Sequence, residues 1–108
     1  MIKIQKEDFN VEEEINSVKK IYSNVGAVTS FTGYVRDNNN NTSVESINLE
    51  VYEKMAYKQF EKIIEEAKIK WNLIDALIIH RYGNLQVNDK IVLVATFSSH
   101  RKDSFESC

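Results

Sequence analysis

The chain has 108 residues, of which 43% are hydrophobic and 28% charged, a balance that suits one soluble domain with one core. A formal net charge of −2 gives no global reason to expect nucleic acid or an anionic membrane as partner. The segment Met1-Ile2-Lys3-Ile4-Gln5 lacks the long apolar region of a signal peptide or membrane span, and Cys108 has no second cysteine to pair with, so the expected compartment is the cytoplasm.

Residues 1–5 alternate apolar and polar and predict a short strand. Asp8 or Asn10 can cap a helix over about 11–22, with Glu12, Glu13 and Glu14 in its first turn, where carboxylates oppose the positive dipole end. Val11, Ile15, Val18 and Tyr22 recur along one face of that helix. Gly26 breaks it from residues 27–35, rich in β-branched and aromatic side chains and therefore a strand. Gly33 inside this strand implies a bulge or a close approach. Residues 37–43 hold no core former and read as a surface loop.

Ile47, Leu49 and Val51 alternate with polar residues and predict a half-buried strand over 45–52. Over 55–71 the period lengthens, and Phe60, Ile63, Ile64, Ala67 and Trp71 mark the core side of an amphipathic helix. A strand is expected near 75–82, a turn at Gly83-Asn84, an extra hairpin strand, and a second turn at Asn88-Asp89. The run Ile91-Val92-Leu93-Val94-Ala95 is apolar throughout and predicts a strand over 91–99 that is buried on both faces. From Arg101 the pattern is that of a last helix. The order is that of a split β-α-β-β-α-β unit, which predicts an α+β fold in one domain over 1–108. Its antiparallel sheet would hold the strands near 27–35, 45–52, 75–82 and 91–99, with both helices on one face.

Candidate chemistry is cationic. No glycine-rich phosphate loop, metal-ligand spacing or Ser-His-Asp arrangement is present. Cys108 has no identified base and reads as a bystander rather than a nucleophile. His80 shares a strand face with Tyr82 and reads as a satisfied, half-buried histidine. Arg36 leaves one strand, and His100, Arg101 and Lys102 leave another; Arg36, His100 and Arg101 are expected to converge on an anion, for which a guanidinium fork is suited. On the residues alone, the result is a small anion-binding α+β domain. A non-catalytic interaction module, in which these side chains pair with local carboxylates, is the rival class. An RNA-binding sheet is disfavoured because no closely spaced aromatic pair suits base stacking.

Four stretches in this order resemble the large, catalytic subunit of molybdopterin synthase. They are Gly26-Ala27-Val28 running to Phe31-Thr32-Gly33-Tyr34-Val35-Arg36; Leu49-Glu50-Val51-Tyr52; Ile79-His80-Arg81-Tyr82-Gly83-Asn84-Leu85; and Ser99-His100-Arg101 leading to Phe105-Glu106. The resemblance implies a ferredoxin-like half with a smaller hammerhead-like β extension. It implies a homodimer of large subunits within a heterotetramer, each bound to a small ubiquitin-like sulfur carrier. The implied reaction moves sulfur from the carrier's C-terminal thiocarboxylate to cyclic pyranopterin monophosphate, giving molybdopterin, with no cofactor or metal, nucleic acid or membrane involved. At matched positions it implies that Tyr34, Val35, Arg36, His100 and Arg101 bind the substrate, with Arg36, His100 and Arg101 lining a pocket within one chain or completed across a dimer interface. The family's catalytic lysines fall downstream of Phe105-Glu106, beyond Cys108, and Lys102 is not their match. Hence the chain is expected to be a C-terminally short form that binds substrate or carrier and turns over poorly by itself.

Overall fold

In a computed structural model, residues 1–36, 46–49 and 53–108 are described. The apolar run at 91–95 lies within strand β6 (Lys90–Ser98), an interior strand of a four-stranded sheet. Strand β4 (Asp75–Arg81) pairs with it antiparallel on one side and β2 (Ala27–Tyr34) antiparallel on the other. Strand β1 (Ile2–Gln5) adds to the far side of β4 in parallel, so the order is β1-β4-β6-β2. The sheet is therefore mixed, which corrects the expectation of a purely antiparallel one: β1 and β4 run the same way, and a parallel pair needs a long crossover between its strands.

Alternation along β4 and β6 sends successive side chains to opposite faces. Leu77, Ile79, Leu93, Ala95 and Phe97 face one way and pack with Phe9 and Val18. That face is covered by α1 (Val11–Lys19), whose Val11, Ile15 and Val18 meet the sheet. Asn10 supplies the cap: its side-chain oxygen accepts from the Glu13 N–H at 3.0 Å, and Glu12, Glu13 and Glu14 occupy the first turn. Lys20 is the C-cap, so α1 is shorter than the sequence pattern suggested, and Tyr22 beyond it donates its hydroxyl to Asp75 at 2.7 Å.

Ala76, Ile78 and Val94 point the other way and pack with Phe60, Ile64, Ala67 and Trp71 of α2 (Glu53–Trp71). The two long helices thus lie on opposite faces, not on one. Helical periodicity shows which stripe of a helix is buried but not which face of a sheet receives it. Ile63 falls outside that stripe and is 55% exposed, a correction to its placement among the core positions. The short α3 (Arg101–Ser107) packs on β2, β6 and α2, on the α2 side of the sheet.

Strand β3 (Ser46–Leu49) does not join the main sheet. It pairs antiparallel with β5 (Gly83–Gln86) in a separate two-stranded ribbon. Gly83 and Asn84, expected as a turn, are the first residues of β5, and the chain swings out of the main sheet at Gly83, where φ is +93°. Glu50, Val51, Tyr52 and the expected loop at 37–43 lie outside the described residues. Among those described, no helix is long and apolar enough to cross a membrane.

Candidate anion-binding groove

Beyond Ser98 the chain makes one tight crossing before α3 begins. The Gly26 N–H donates to the Ser98 carbonyl at 2.9 Å. A Cβ at position 26 would stand 2.2 Å from the Ser99 carbonyl oxygen, so only glycine lets the two backbones pass. The Ser99 hydroxyl reaches the Asn24 carbonyl at 3.3 Å, and the His100 N–H donates to the buried Ser98 hydroxyl at 3.2 Å. This anchoring delivers His100 and Arg101 to the surface, both exposed.

Arg101, Lys102 and Phe105 of α3 face Ala27, Val28 and Thr29 of β2 across a groove of about 510 Å³. Phe105 is 75% exposed, an apolar wall beside two cations. A groove with one apolar side and two exposed positive charges suits a flat, anionic ligand better than a bare ion. Of the residues expected from the sequence to bind substrate, Arg101 lies in this lining and His100, its neighbour in the chain, does not. Lys102, Thr29 and Phe105 line it as well, outside the residues that the sequence pattern marks for ligand contact. An apolar residue left exposed on a short polar helix was the available signal for Phe105.

Tyr34 and Arg36 lie elsewhere. Because β2 and β6 are antiparallel, Ala27 sits opposite Ser98 while Tyr34 sits opposite Lys90. Eight strand residues separate the two ends, roughly 25 Å. Within one chain, Arg36 therefore does not join His100 and Arg101 around one anion, and of the two expected arrangements only a pocket completed across a dimer interface could bring them together. At its own end the backbone bulges between Gly33 and Tyr34. A Cβ on Gly33 would come within 2.9 Å of Val92 Cγ1, so the close approach and bulge read from that glycine are both present. Tyr34 is 55% exposed and Arg36 is exposed, whereas Val35 is buried at 3%. The Val35 N–H donates to the Asp89 carbonyl at 2.9 Å, and its carbonyl accepts from Asn88 at 2.8 Å. Val35 is thus a plug that fixes the strand exit between its two exposed neighbours.

The remaining candidates are structural. His80 Nδ1 lies 2.8 Å from the Arg81 carbonyl and its ring stacks on Phe60, the satisfied histidine that was expected. Arg81 is mostly buried and clamps backbone, donating to the Lys6 carbonyl at 3.1 Å and the Lys90 carbonyl at 2.9 Å. Asp8 faces Arg81 at 3.8 Å and Lys90 at 3.5 Å; the Phe9 N–H, ahead of these cations, lowers its carboxyl below the usual range despite some burial. Cys108 sits 3.9 Å from the Val94 carbonyl, and burial of the thiol pushes its pKa up, which disfavours the nucleophilic thiolate. Among the described residues no group of three His, Cys, Asp or Glu is placed to hold a metal.

Residues 4–108 match the family described as MoaE protein. The chain belongs to the MoaE family. A molybdopterin synthase catalytic subunit from Ralstonia nicotianae is 43% identical over 107 residues, covering 99% of this chain and 61% of its own length. The present sequence thus spans less than two thirds of that relative. The solved MoaE protein of Burkholderia ambifaria superposes with a TM-score of 0.91 at 42% identity, covering all of this chain and 70% of the other. A chain of a Helicobacter pylori complex of subunits 1 and 2 of molybdopterin-converting factor superposes with a TM-score of 0.79, covering 98% of this chain and 70% of that one; at 22% identity it shows a shared fold alone.

Proposed function

We propose that this chain is the large-subunit domain of a molybdopterin synthase. It binds cyclic pyranopterin monophosphate in a site shared by two copies, with a small sulfur carrier docking its C-terminal tail alongside. The β3–β5 ribbon would then be the family's small hammerhead-like extension. The observation that carries this reading is the placement of Arg36 and Arg101 at opposite ends of one edge strand. β2 is the last strand of the sheet among the described residues, and Ser30 and Phe31 at its middle are exposed. A long uncovered edge is a template for another strand. Antiparallel pairing of β2 with its copy about a two-fold axis near Ser30 would set the Tyr34 end of one chain beside the Ala27 end of the other. Arg36 of one copy would then meet Arg101 at its neighbour's groove, with His100 next to Arg101 in the chain, two sites per dimer.

The chemistry fits that arrangement. The precursor presents a cyclic phosphate, which paired guanidinium groups would bind through charge-assisted hydrogen bonds. The same charges would stabilise oxyanions developing as the carrier's thiocarboxylate gives up sulfur. The residues named here are assigned to binding, and the resemblance assigns the lysines that engage the thiocarboxylate to a segment downstream of Phe105-Glu106. The direct test is titration of the precursor into wild-type, Arg36→Ala and Arg101→Ala proteins. Each substitution should cost about 1.5–3 kcal/mol in binding, the worth of a hydrogen bond to a charged group. Unchanged affinity in both would favour a non-catalytic interaction module.

A further inference from the structure

Helices usually dock through an apolar stripe. The buried residue of α3 is instead Ser104, at 0% exposure. It meets two threonines of the sheet. The Thr96 hydroxyl donates to the Ser104 carbonyl at 2.7 Å, and the Ser104 hydroxyl donates back to the Thr96 carbonyl at 3.1 Å. Thr29 Oγ1 lies 2.8 Å from Ser104 Oγ. Either hydroxyl can donate in that third contact, since each carries one rotatable hydrogen and two acceptor lone pairs. Thr29 also lines the groove opposite Arg101 and Lys102.

We infer that Ser104 is a positioning residue. With Thr29 and Thr96 it forms a hydroxyl lock that fixes the height and rotation of α3 over β2 and β6, and so sets where Arg101 stands in the groove. Hydrophobic contact is non-directional, whereas each of these three contacts has a preferred length and angle. A buried network with every member satisfied holds one arrangement, because any slide of the helix strands a polar group away from water. Docking by a serine also leaves Phe105 free to form a groove wall instead of filling the core. Arg101 and Ser104 are three residues apart, on one side of the helix surface, so rotation at one is rotation at the other.

The ligand arm of the test rests on the proposed pterin site; the exchange arm does not. Amide hydrogen exchange is followed by NMR in the 108-residue chain for wild type, Ser104→Ala, Thr29→Val and Thr29→Ser. The reporters are the Ser104 N–H, bonded to the His100 carbonyl, and the Cys108 N–H, bonded to the Ser104 carbonyl. Leu77 and Ile79 amides report global opening. In Ser104→Ala and Thr29→Val the α3 amides should exchange at least tenfold faster with Leu77 and Ile79 unchanged, and Thr29→Ser should keep wild-type protection. Thr29→Val sits on a strand that accepts valine, so the test survives if alanine at 104 unfolds the chain. Wild-type protection of α3 in both lock-breaking variants overturns the proposal. In parallel, Ser104→Ala should bind the pterin precursor at least fivefold more weakly, although Ser104 does not line the groove. Wild-type affinity alongside accelerated α3 exchange would overturn the positioning role. Failure of the wild-type chain to bind the precursor would sink the functional reading, and the exchange arm alone would then decide the lock.

Discussion

On the α1 side of the sheet, Phe9, Val18, Leu77, Ile79, Leu93, Ala95 and Phe97 form a closed apolar cluster under a capped helix. On the other side, at the β2 edge, α3 is held by Ser104 and exposes Arg101, Lys102 and Phe105. The first region buries side chains that carry no chemistry, and apolar area removed from water stabilises in proportion to its extent. The second gives up burial for placement: hydrogen bonds fix the backbone while the side chains stay available to a ligand. Asp75 joins the sides, accepting from Tyr22 beyond α1 and facing Lys68 of α2 at 3.4 Å.

The comparison breaks most visibly at Phe97, which is fully buried. Phe97→Ala should cost about 3–5 kcal/mol of stability by removing transfer energy and leaving a cavity. Denaturant unfolding measures this, and the fraction still folded should bind the pterin precursor as the wild type does. If affinity in that fraction collapsed too, the two regions would be one unit.

Gly26→Ala sits at the junction. Its Cβ would overlap the Ser99 carbonyl, so either strand entry or the turn before His100 must move. Overpacking of this kind costs about 1–3 kcal/mol. The larger sign should be in ligand affinity, because Ser99 leads into His100 and Arg101. Stability loss with intact affinity would show that the crossing is a fold feature alone.

A milder effect is read against pH. Burial alone would raise the Asp75 carboxyl, but the Tyr22 hydroxyl, the Ala76 N–H, the amino terminus and Lys68 outweigh it, and the net shift is downward from 3.8. A carboxyl lowered on folding adds stability above its unfolded value and loses it as pH falls through the folded one. Stability should therefore decline as pH drops below about 3.8, and Asp75→Asn should flatten that limb of the curve. An unchanged slope in thermal melts between pH 5 and pH 2, on the order of the usual carboxylate range, would remove Asp75 from the account.

Much of the secondary structure was legible because period and caps are local signals. Asn10, the acidic first turn, Gly33 and the alternation at 47–49 each specify their element without reference to the rest of the chain. What period does not encode is which sheet or face receives an element. The alternation in β3 is the same whether it joins β2 or leaves with β5, and the stripe on α2 does not say which side of β4 it meets. The cationic residues show the same limit. Arg36 and Arg101 both leave strand ends, and only the antiparallel register of β2 on β6 shows those ends to be opposite. The spacing of one sequence does not separate a pocket within one chain from one completed across a dimer interface, and both stood open until the register was known.

That split is the central claim, and active-site complementation tests it most directly. Arg36→Ala and Arg101→Ala chains are denatured, mixed in equal amounts and refolded together, and precursor-binding sites are counted by titration. If each site takes Arg36 from one copy and Arg101 from the other, a mixed dimer holds one site with neither arginine and one site intact. Random pairing makes about half of the dimers mixed, so about a quarter of all sites should recover wild-type affinity while neither variant alone recovers any. If the mixture binds no better than its separate components, both arginines belong to a site within one chain or to none, and the shared groove is contradicted.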